Sequence, residues 1–505
     1  MVAGNVRGKR FSQTASQLPD SRRREPGQLR VSFLKDGKKA VVEAGPNLDD
    51  RQRIQYPMRK RLAFAFAAAT LSAAAQQPTL LRNATVIDGT GVPAREHMDV
   101  MFAAGLIESI APTSSTTPQG VTIIDCSGKT LIPGLISAHS HLGVLESNAT
   151  PSATAYNLPN VTAALNQFER YGVTTIVSLG LNRDLVYELR AQQRSGTLGG
   201  ATILTAGRGI GVPGGAPPLM VAKDQVDLPT TADQARADVD TFAARHADIV
   251  KIWVDPLHNK APEMQPSIYE AVIDQAHKDR LHVAAHEYAL KDAQSLVDDG
   301  IDVLAHSVRD QAVDAAFISS MLRHHTWYIP TLELDEAFYL YAREPSIMQS
   351  EFFKQAAGTQ LLAKLTASDY AAKTLADKDT KQHQQDHALA LQNFKTLYDA
   401  GVHVAFGTDS GAVPGRIPGF SEHRELEDLV LSGLTPLEAI TVATGSTGEL
   451  LHTLDPTITV GLIAPGYSAD LILLTADPLT DIHNTRHVAA IYHHGRPVPN
   501  PAPQD

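Results

Sequence analysis

The sequence predicts an α/β fold: a (β/α)8 TIM barrel joined to a small β-sandwich domain built from the N- and C-terminal segments. Eight short apolar runs recur along the chain, and most are continuous, as expected for parallel strands covered on both faces. Helical patterns separate many of these runs, which gives the strand/helix alternation of α/β proteins. A chain of 505 residues with 43% hydrophobic content can bury a barrel core and a second domain.

The eight candidate barrel strands each end in polar residues. Helical periodicity at Gln234–Ala247 and Ser267–Asp279 fills two of the connections between them. The strands are predicted at Leu131–His139, Gly172–Gly180, Ala201–Gly207, Asp248–Val254, Leu281–Glu287, Ile301–Ser307, Trp327–Glu333 and Val402–Ser410.

Two stretches outside the barrel alternate β-branched and polar residues in the manner of short antiparallel strands. The first, 76–130, has turn signals such as Asp88-Gly89, and the second, 455–500, contains the runs Ala469–Leu474 and His487–Gly495. We expect the two stretches to pair into one β-domain beside a barrel that occupies 131–454.

Residues 335–400 are too many for a usual connection between a strand and a helix, and they carry helical periodicity with several aromatic residues. An insertion on the active-site face is a candidate lid. A helical subdomain that packs or dimerises accounts for the pattern equally well, so a homo-oligomer stays open.

The N-terminal region resembles a targeting segment. Residues 58–75 begin with Met58, continue with a short basic stretch and an apolar run, and end in small residues, as a secretory signal peptide does. Because such a peptide acts at the N-terminus, we interpret 1–57 as no part of the native protein; a disordered basic tail is the alternative. The expected location is periplasmic or secreted, with no stable membrane insertion after processing.

The charge balance argues against a polyanionic partner. The whole chain carries a net charge of −11, and residues 1–75, with 15 basic and 6 acidic residues, contribute the opposite sign, so their removal leaves −20. Nucleic acid and anionic membrane surfaces are therefore excluded as expected partners.

Polar residues at the strand ends form a candidate metal site. In a TIM barrel the carboxyl ends of all strands meet at one face, so ligands scattered along the sequence converge there. The single Cys126 rules out a thiolate pair, which leaves nitrogen and oxygen ligands. Each histidine alone is more often an ordinary core or surface residue, but together they predict metal ligands at His139, His141, Lys251, His286, His306 and Asp409.

Lys251 lies inside an apolar strand, where a charged ammonium is costly unless it is paired or chemically altered. A neutral lysine amine can add carbon dioxide and become an anionic carbamate, an oxygen ligand for two cations. A buried lysine neutralised by a neighbouring carboxylate is the alternative.

The motifs together resemble the amidohydrolase superfamily, in particular its imidazolonepropionase-related branch of Xaa-Pro dipeptidase-like and ochratoxinase-like enzymes. The segments that carry the resemblance are IPGLISAHSH, IVKIWVD, VAAHEY, LAHSVRD, FGTDSG and PGYSADLILL, within about 79–497. The resemblance implies two divalent metal ions, zinc being the first expectation, bridged by carboxylated Lys251. Relatives commonly place an acidic residue at the position of Ser137, two before His139, and this departure bears on metal retention.

The implied reaction is hydrolysis of an amide C–N bond in a small molecule, a dipeptide or N-acyl amino acid. A metal-bridging hydroxide attacks, with Asp409 as general base and then general acid. Tyr288 is a candidate to bind the developing oxyanion and Arg309 a substrate carboxylate; a packed aromatic and a salt-bridge partner are the ordinary alternatives. A mononuclear hydrolase of cyclic amides, a lactone or organophosphate hydrolase and a non-catalytic scaffold remain open as other functions.

Overall fold

The computed structural model describes residues 77–504 except Thr117 and Asn259. The expected tail 1–57 and signal peptide 58–75 lie outside these residues. Within the described part of the chain, no helix combines the length and the apolar character needed to cross a bilayer.

The strands and helices alternate through the middle of the chain. The strands are β1 Thr79–Val86, β2 Arg95–Ala103, β3 Leu106–Pro112, β4 Thr122–Asp125, β5 Thr130–Pro133, β6 Leu135–Ser140, β7 Leu145–Glu146, β8 Thr150–Pro151, β9 Val173–Ser178, β10 Thr202–Thr205, β11 Val250–Trp253, β12 Val283–His286, β13 Val303–Ala305, β14 Trp327–Ile329, β15 Leu471–Leu474, β16 Val488–His493 and β17 Arg496–Pro497. The helices are α1 Leu158–Arg170, α2 Leu185–Arg194, α3 Ala232–Ala244, α4 Pro266–Lys278, α5 Leu290–Asp298, α6 Ala315–His324, α7 Glu333–Glu336, α8 Leu340–Arg343, α9 Glu351–Leu365, α10 Tyr370–Ala376, α11 Lys378–Asp399, α12 Phe420–Leu431, α13 Pro436–Thr441 and α14 Thr447–Leu454.

The predicted TIM barrel is confirmed. Strands β6, β9 and β10 form one parallel sheet and β11 to β14 another. Isolated parallel bridges complete the ring, joining Ile210 to Ile252, Tyr328 to Val404, and Ser140 to Ser410. The chain around 404–410 therefore takes the eighth position.

Two predicted strands end differently from the expectation. In the eighth, the amides of Thr408 and Asp409 both donate to the His139 carbonyl, and Asp409 adopts φ 61, so bridges replace a regular ladder. The seventh was predicted to reach Glu333, but that residue begins α7, where its amide donates to Glu425.

The barrel helices form where sequence and burial agree. In α1 the Asn157 side chain caps the first turn, and Val161, Leu165 and Phe168 form a buried stripe at helical spacing. In α4, Pro266 occupies the first turn, where its missing N–H costs nothing. These apolar stripes cover the outer faces of the strands.

The terminal segments form one eight-stranded sheet in the order β17-β16-β15-β5-β1-β2-β3, with β4 also paired to β1. A bridge between Leu106 and Ser468 brings β3 back toward β15, and the sheet encloses its own apolar core, as a sandwich does. The predicted first barrel strand is divided at Gly134: β5 belongs to this sheet and β6 to the barrel. A side chain at Gly134 would collide with Thr174, since a Cβ there would lie 2.3 Å from its hydroxyl oxygen.

The long insertion is helical and comprises α7 to α11. Its aromatic residues pack with α12, where Tyr341 and Phe353 contact Phe420. The insertion is thereby attached to the helix that follows the eighth strand position.

Candidate metal centre and active site

The two histidines of β6 meet Asp409 at the carboxyl end of the barrel. The Nε2 atoms of His139 and His141 lie 3.4 Å and 2.9 Å from Asp409 Oδ1. The other oxygen of Asp409 accepts a hydrogen bond from Arg416. All three predicted ligands are buried, so one edge of this carboxylate is directed at the imidazoles and the other is held by a guanidinium.

Lys251 lies in β11 and is completely buried. Its Nζ has no hydrogen-bond partner among the described residues and lies 5.6 Å from the centre of the Trp253 ring. Burial lowers the pKa of this amine to about 7, against the opposing attraction of Asp409 and Glu287. A neutral amine is therefore readily available at this position near neutral pH.

His286 and His306 end β12 and follow β13, and their rings meet at 4.7 Å. His306 also stacks on His139 at 4.6 Å, which connects the two halves of the predicted ligand set. Each ring has a second polar partner: His286 Nε2 lies 3.2 Å from Asp255, and His306 Nδ1 lies 2.7 Å from the Thr331 hydroxyl. Such contacts orient an imidazole for a cation on its other nitrogen.

The electrostatics keep these imidazoles neutral. Burial lowers the pKa of His139, His286 and His306, and the nearby Lys251 lowers each further. For Asp409, burial favours the protonated form, but Arg416 and the two histidines outweigh it and hold the pKa well below its usual range. Neutral imidazoles beside an ionised carboxylate are the protonation states that metal ligands require.

The donor set fits divalent cations. Neither ring nitrogen of His139 has a hydrogen-bond partner among the described residues, and the same holds for Lys251 Nζ. Buried polar atoms in proteins are nearly always satisfied, so buried nitrogens without hydrogen-bond partners at one point fit a site for a cation. The donors available are imidazole nitrogen, carboxylate and, after carboxylation, carbamate oxygen, which suit zinc and its neighbours in the first transition row.

One buried carboxylate that the sequence reasoning missed ties the ligand segments together. Glu422 of α12 accepts hydrogen bonds through Oε1 from Ser137 at 3.1 Å, Thr408 at 2.7 Å and Ser410 at 2.8 Å. These hydroxyls lie two residues before His139 and on either side of Asp409. Glu422 therefore places a carboxyl group beside Ser137, where the resemblance led us to expect an acidic residue. No local motif indicates this role of Glu422, because its hydrogen bond with Ser137 joins residues that are 285 positions apart.

A second buried carboxylate, Glu287, directly follows His286. Both of its oxygens lack hydrogen-bond partners among the described residues, and burial raises its pKa well above the usual range. Its position in the motif VAAHEY made it visible in the sequence, but its burial did not follow from the pattern.

The two predicted substrate contacts lie beside the helical insertion. The Tyr288 hydroxyl donates to Asp386 of α11, and Arg309 pairs with Asp335 of α7 at 3.2 Å. The guanidinium also covers the Tyr288 ring at 5.2 Å, while Arg309 NH1 has no partner among the described residues. The insertion thus covers the side chains that extend from the ends of β12 and β13. Whether Tyr288 and Arg309 contact a substrate stays a prediction.

His423 and Glu425, which follow the last strand position, lie outside this cluster. His423 bonds to the Thr485 hydroxyl and the Tyr171 carbonyl, and Glu425 accepts the amides of Leu332 and Glu333. Both brace neighbouring loops.

Comparison with known proteins agrees with this geometry. Residues 130–498 match the Amidohydrolase family, which is well over half of the chain. Among solved structures, a putative prolidase from Bifidobacterium longum is 26% identical, with a TM-score of 0.67 over 85% of this chain and 97% of its own. A Xaa-Pro dipeptidase with bound methionine is 22% identical (TM-score 0.65, 83% and 99% covered). The ochratoxinase of A. niger is 18% identical (TM-score 0.63, 83% and 95% covered). No curated protein matches the chain.

Proposed function

Because the chain belongs to the amidohydrolase family, we propose that it is a binuclear metal-dependent hydrolase that cleaves the amide C–N bond of a dipeptide or N-acyl amino acid. The observation that carries the proposal is the convergence of His139, Lys251 and Asp409 with three further histidines at one end of the barrel. The His139 ring nitrogens and Lys251 Nζ are buried there without hydrogen-bond partners among the described residues.

The cations are held by the six predicted ligands: His139, His141, Lys251, His286, His306 and Asp409. When bound, two such ions polarise a carbonyl and lower the pKa of water from about 15.7 toward 7, which makes hydroxide available at neutral pH. Lys251 would offer oxygen ligands to the cations once its neutral Nζ has bonded to the carbon of carbon dioxide and released one proton. Its buried, unpaired amine supports that step.

Asp409 handles the proton in the proposed reaction. Its Oδ1 faces the two histidines of β6, and Arg416 fixes the other oxygen, so the carboxylate has a single orientation. In this position Asp409 accepts the proton of the attacking water and passes it to the departing amine. The bond that breaks is the amide C–N bond, and the products are a carboxylic acid and an amine.

The substrate class rests on Arg309. Its unpaired NH1 and its place at the end of β13 suit a substrate carboxylate, which dipeptides and N-acyl amino acids both carry. Tyr288 would donate to the oxyanion only after its hydroxyl leaves Asp386. The putative prolidase, the Xaa-Pro dipeptidase and the ochratoxinase share this fold. Their similarity to this chain favours the same chemistry here.

A mononuclear hydrolase of cyclic amides is the second candidate, favoured if Lys251 stays an amine. The same centre would also polarise the C=O of a lactone or the P=O of an organophosphate. A non-catalytic scaffold predicts loss of ligands, whereas all six positions carry ligand-type side chains.

The test is amino-acid release by zinc-loaded full-length protein from pooled dipeptides and N-acyl amino acids. We expect saturable release that is lost on chelation. It should fall by about 100- to 10,000-fold in Asp409→Asn, since general acid–base catalysis typically contributes this factor. Protein that binds metal but releases nothing from either pool would overturn the amidase proposal and leave lactones, cyclic amides and phosphoesters to assay.

We also propose export to the periplasm or cell exterior, supported by the targeting pattern of 58–75. N-terminal sequencing of native protein tests it: cleavage near Ala75 is expected, and an intact N-terminus upstream of Met58 would contradict it.

A further inference from the structure

A second histidine cluster lies far from the metal centre, where the barrel meets the sandwich. His493 ends β16 and His494 follows it, while Thr202 begins β10 and Glu169 lies in the last turn of α1. The cluster is therefore at the amino-terminal end of the barrel strands, opposite the predicted ligands at their carboxyl ends. It faces a cavity of about 700 Å³ that is also lined by Arg194 and Arg496.

The two imidazoles converge on a single oxygen. Their rings stack at 4.3 Å, and the Nε2 atoms of His493 and His494 lie 3.0 Å and 3.1 Å from Thr202 Oγ1. A hydroxyl has only one proton to donate. If both imidazoles are neutral with their protons on Nδ1, one of the two Nε2 lone pairs has no donor there.

The Nδ1 atoms have partners that favour this arrangement. His493 Nδ1 lies 2.7 Å from Glu169, a carboxylate that can only accept, so this nitrogen carries the proton. His494 Nδ1 lies 3.0 Å from the Ser468 hydroxyl and 3.7 Å from Asp470. A histidine that donates one N–H to an oxygen and presents the other nitrogen outward is typical of a metal ligand.

The cluster also holds an unsatisfied carboxylate oxygen. Asp470 is 4% exposed; its Oδ1 accepts the His494 amide at 2.6 Å, but its Oδ2 has no partner among the described residues. Ligand-type atoms of Asp470, His493 and His494 all lie within 4.8 Å of one another. With Glu169 the cluster contains two carboxylates. Of the two lining arginines, Arg194 is largely exposed and directed toward Asp248 at 3.9 Å, and Arg496 pairs with His493 between β16 and β17.

We propose that His493, His494 and Asp470 form a separate cation site that binds a transition-metal dication such as Zn²⁺ or Cu²⁺ and links the sandwich to the barrel. Imidazole nitrogen favours these ions over Mg²⁺ or Ca²⁺. A bound ion would take the position between the two Nε2 atoms, and Thr202 would turn its hydroxyl oxygen toward it.

The experiment is a count of bound zinc per full-length chain by equilibrium dialysis, compared between wild type and His493→Gln/His494→Gln. We expect the variant to bind one zinc fewer while its rate of hydrolysis at saturating metal is unchanged. The matched control is His324→Gln/His325→Gln, an adjacent histidine pair exposed at the end of α6. This control keeps the wild-type count, whereas an equal loss in both variants would mean adventitious surface binding and overturn the proposal.

Two single variants keep the test decisive if the double variant fails to fold. Glu169→Gln preserves the size of the side chain and is expected to weaken zinc binding at this site by about 10- to 100-fold. His494→Ala removes a ligand whose side chain is 54% exposed, and it should lose the same zinc ion. Wild-type affinity in both would overturn the proposal. Since zinc is counted without a substrate, the result does not depend on whether the hydrolase proposal holds.

Discussion

The catalytic end of the barrel and the contact between the insertion and α12 both bury histidine beside carboxylate, yet they balance charge in opposite ways. The second region, which we call the insertion network, consists of Glu336, His387, Arg424 and Asp428. There Arg424 donates to Glu336 at 2.6 Å and 2.8 Å, and His387 Nε2 lies 3.6 Å from Asp428. The protein itself supplies the cations.

The histidines of the two regions consequently differ in protonation. Burial works against charge on His387, but Asp428 and Glu336 outweigh it and raise its pKa. At the catalytic end, burial and Lys251 lower the pKa of His139 and His306. A buried histidine is thus a counter-ion where carboxylates prevail and a free ligand where nitrogens gather. The surrounding charges, more than burial, therefore distinguish the two roles.

Substitution of Lys251, at the catalytic end of the barrel, is expected to have the largest effect on metal content and hydrolysis rate. Lys251→Ala should lose one of the two proposed metal ions and lower the hydrolysis rate by about 100-fold or more, because the proposed carbamate ligand cannot form. The measurement is metal content and rate after loading with and without bicarbonate. Only the wild type should respond to bicarbonate.

Lys354→Ala, at an exposed ion pair on α9, is the control and should behave as wild type. Full metal content and rate in Lys251→Ala would show that Lys251 is a buried neutral amine with no ligand role.

Arg309 lies between the two regions and tests the substrate class. Arg309→Lys should raise KM by roughly 10- to 100-fold for substrates with a free carboxylate, with kcat little changed, because a charged hydrogen bond contributes about 1.5–3 kcal/mol. Steady-state kinetics on substrates with a free and an amidated carboxyl group measure this. An equal effect on both would assign Arg309 to the pairing with Asp335 instead.

The next prediction concerns the carboxyl group of Glu422, which a pair of substitutions can move to the position of Ser137. Glu422→Gln should weaken metal binding by about tenfold, since it loosens the segments that carry His139 and Asp409. Ser137→Asp alone should also weaken it, because two carboxylates would then face each other where Ser137 and Glu422 now lie 3.1 Å apart.

The double variant Ser137→Asp/Glu422→Gln restores one carboxylate and should recover most of the affinity. Metal titration of all four proteins gives the coupling, and purely additive losses would show that charge at this position is irrelevant.

The smallest expected effect concerns His387 of the insertion network. A pKa that is raised on folding stabilises the protein fully below the unfolded value of 6.5, and this stabilisation is lost as pH rises through the folded value. Wild type should therefore lose about 1 kcal/mol relative to His387→Gln as pH rises above 6.5, the net contribution of a typical hydrogen bond.

Denaturant unfolding across this pH range is the measurement, with His324→Gln as the control that follows wild type. A difference between wild type and His387→Gln that does not change with pH would mean that His387 is neutral in the fold.

The fold was largely predictable because its signals are local. Apolar runs and helical periodicity are short-range properties, so the barrel and the pairing of the terminal segments followed from them. The division at Gly134 did not, since β5 and β6 form one apolar run in the sequence and only pairing partners distinguish them. The irregular eighth strand depends on the His139 carbonyl, which is remote in sequence.

The candidate site likewise contains residues that the sequence predicts and residues that it does not. The proposed ligand positions other than Lys251 could be predicted because they lie at or just after strand ends, and the structure brings these five residues close together: His139, His141, His306, His286 and Asp409. The role of Glu422 could not be predicted from the sequence, because it lies within a helix and contacts a segment that is remote in sequence. The partners of Arg309 and Tyr288 were also hidden, since the docking of α7 and α11 has no local signature.

The most direct test of the binuclear proposal is a metal titration of hydrolysis in the His493→Gln/His494→Gln protein, which lacks the two histidines of the proposed second cation site. Apoprotein would receive zinc in increments, and amino-acid release would be measured at each step. We expect the rate of amino-acid release to rise until two equivalents of zinc per chain are bound and then to stay constant. A plateau at one equivalent of zinc would contradict the binuclear centre and favour the mononuclear alternative. Hydrolysis that does not respond to zinc would contradict the proposal of a metal-dependent hydrolase.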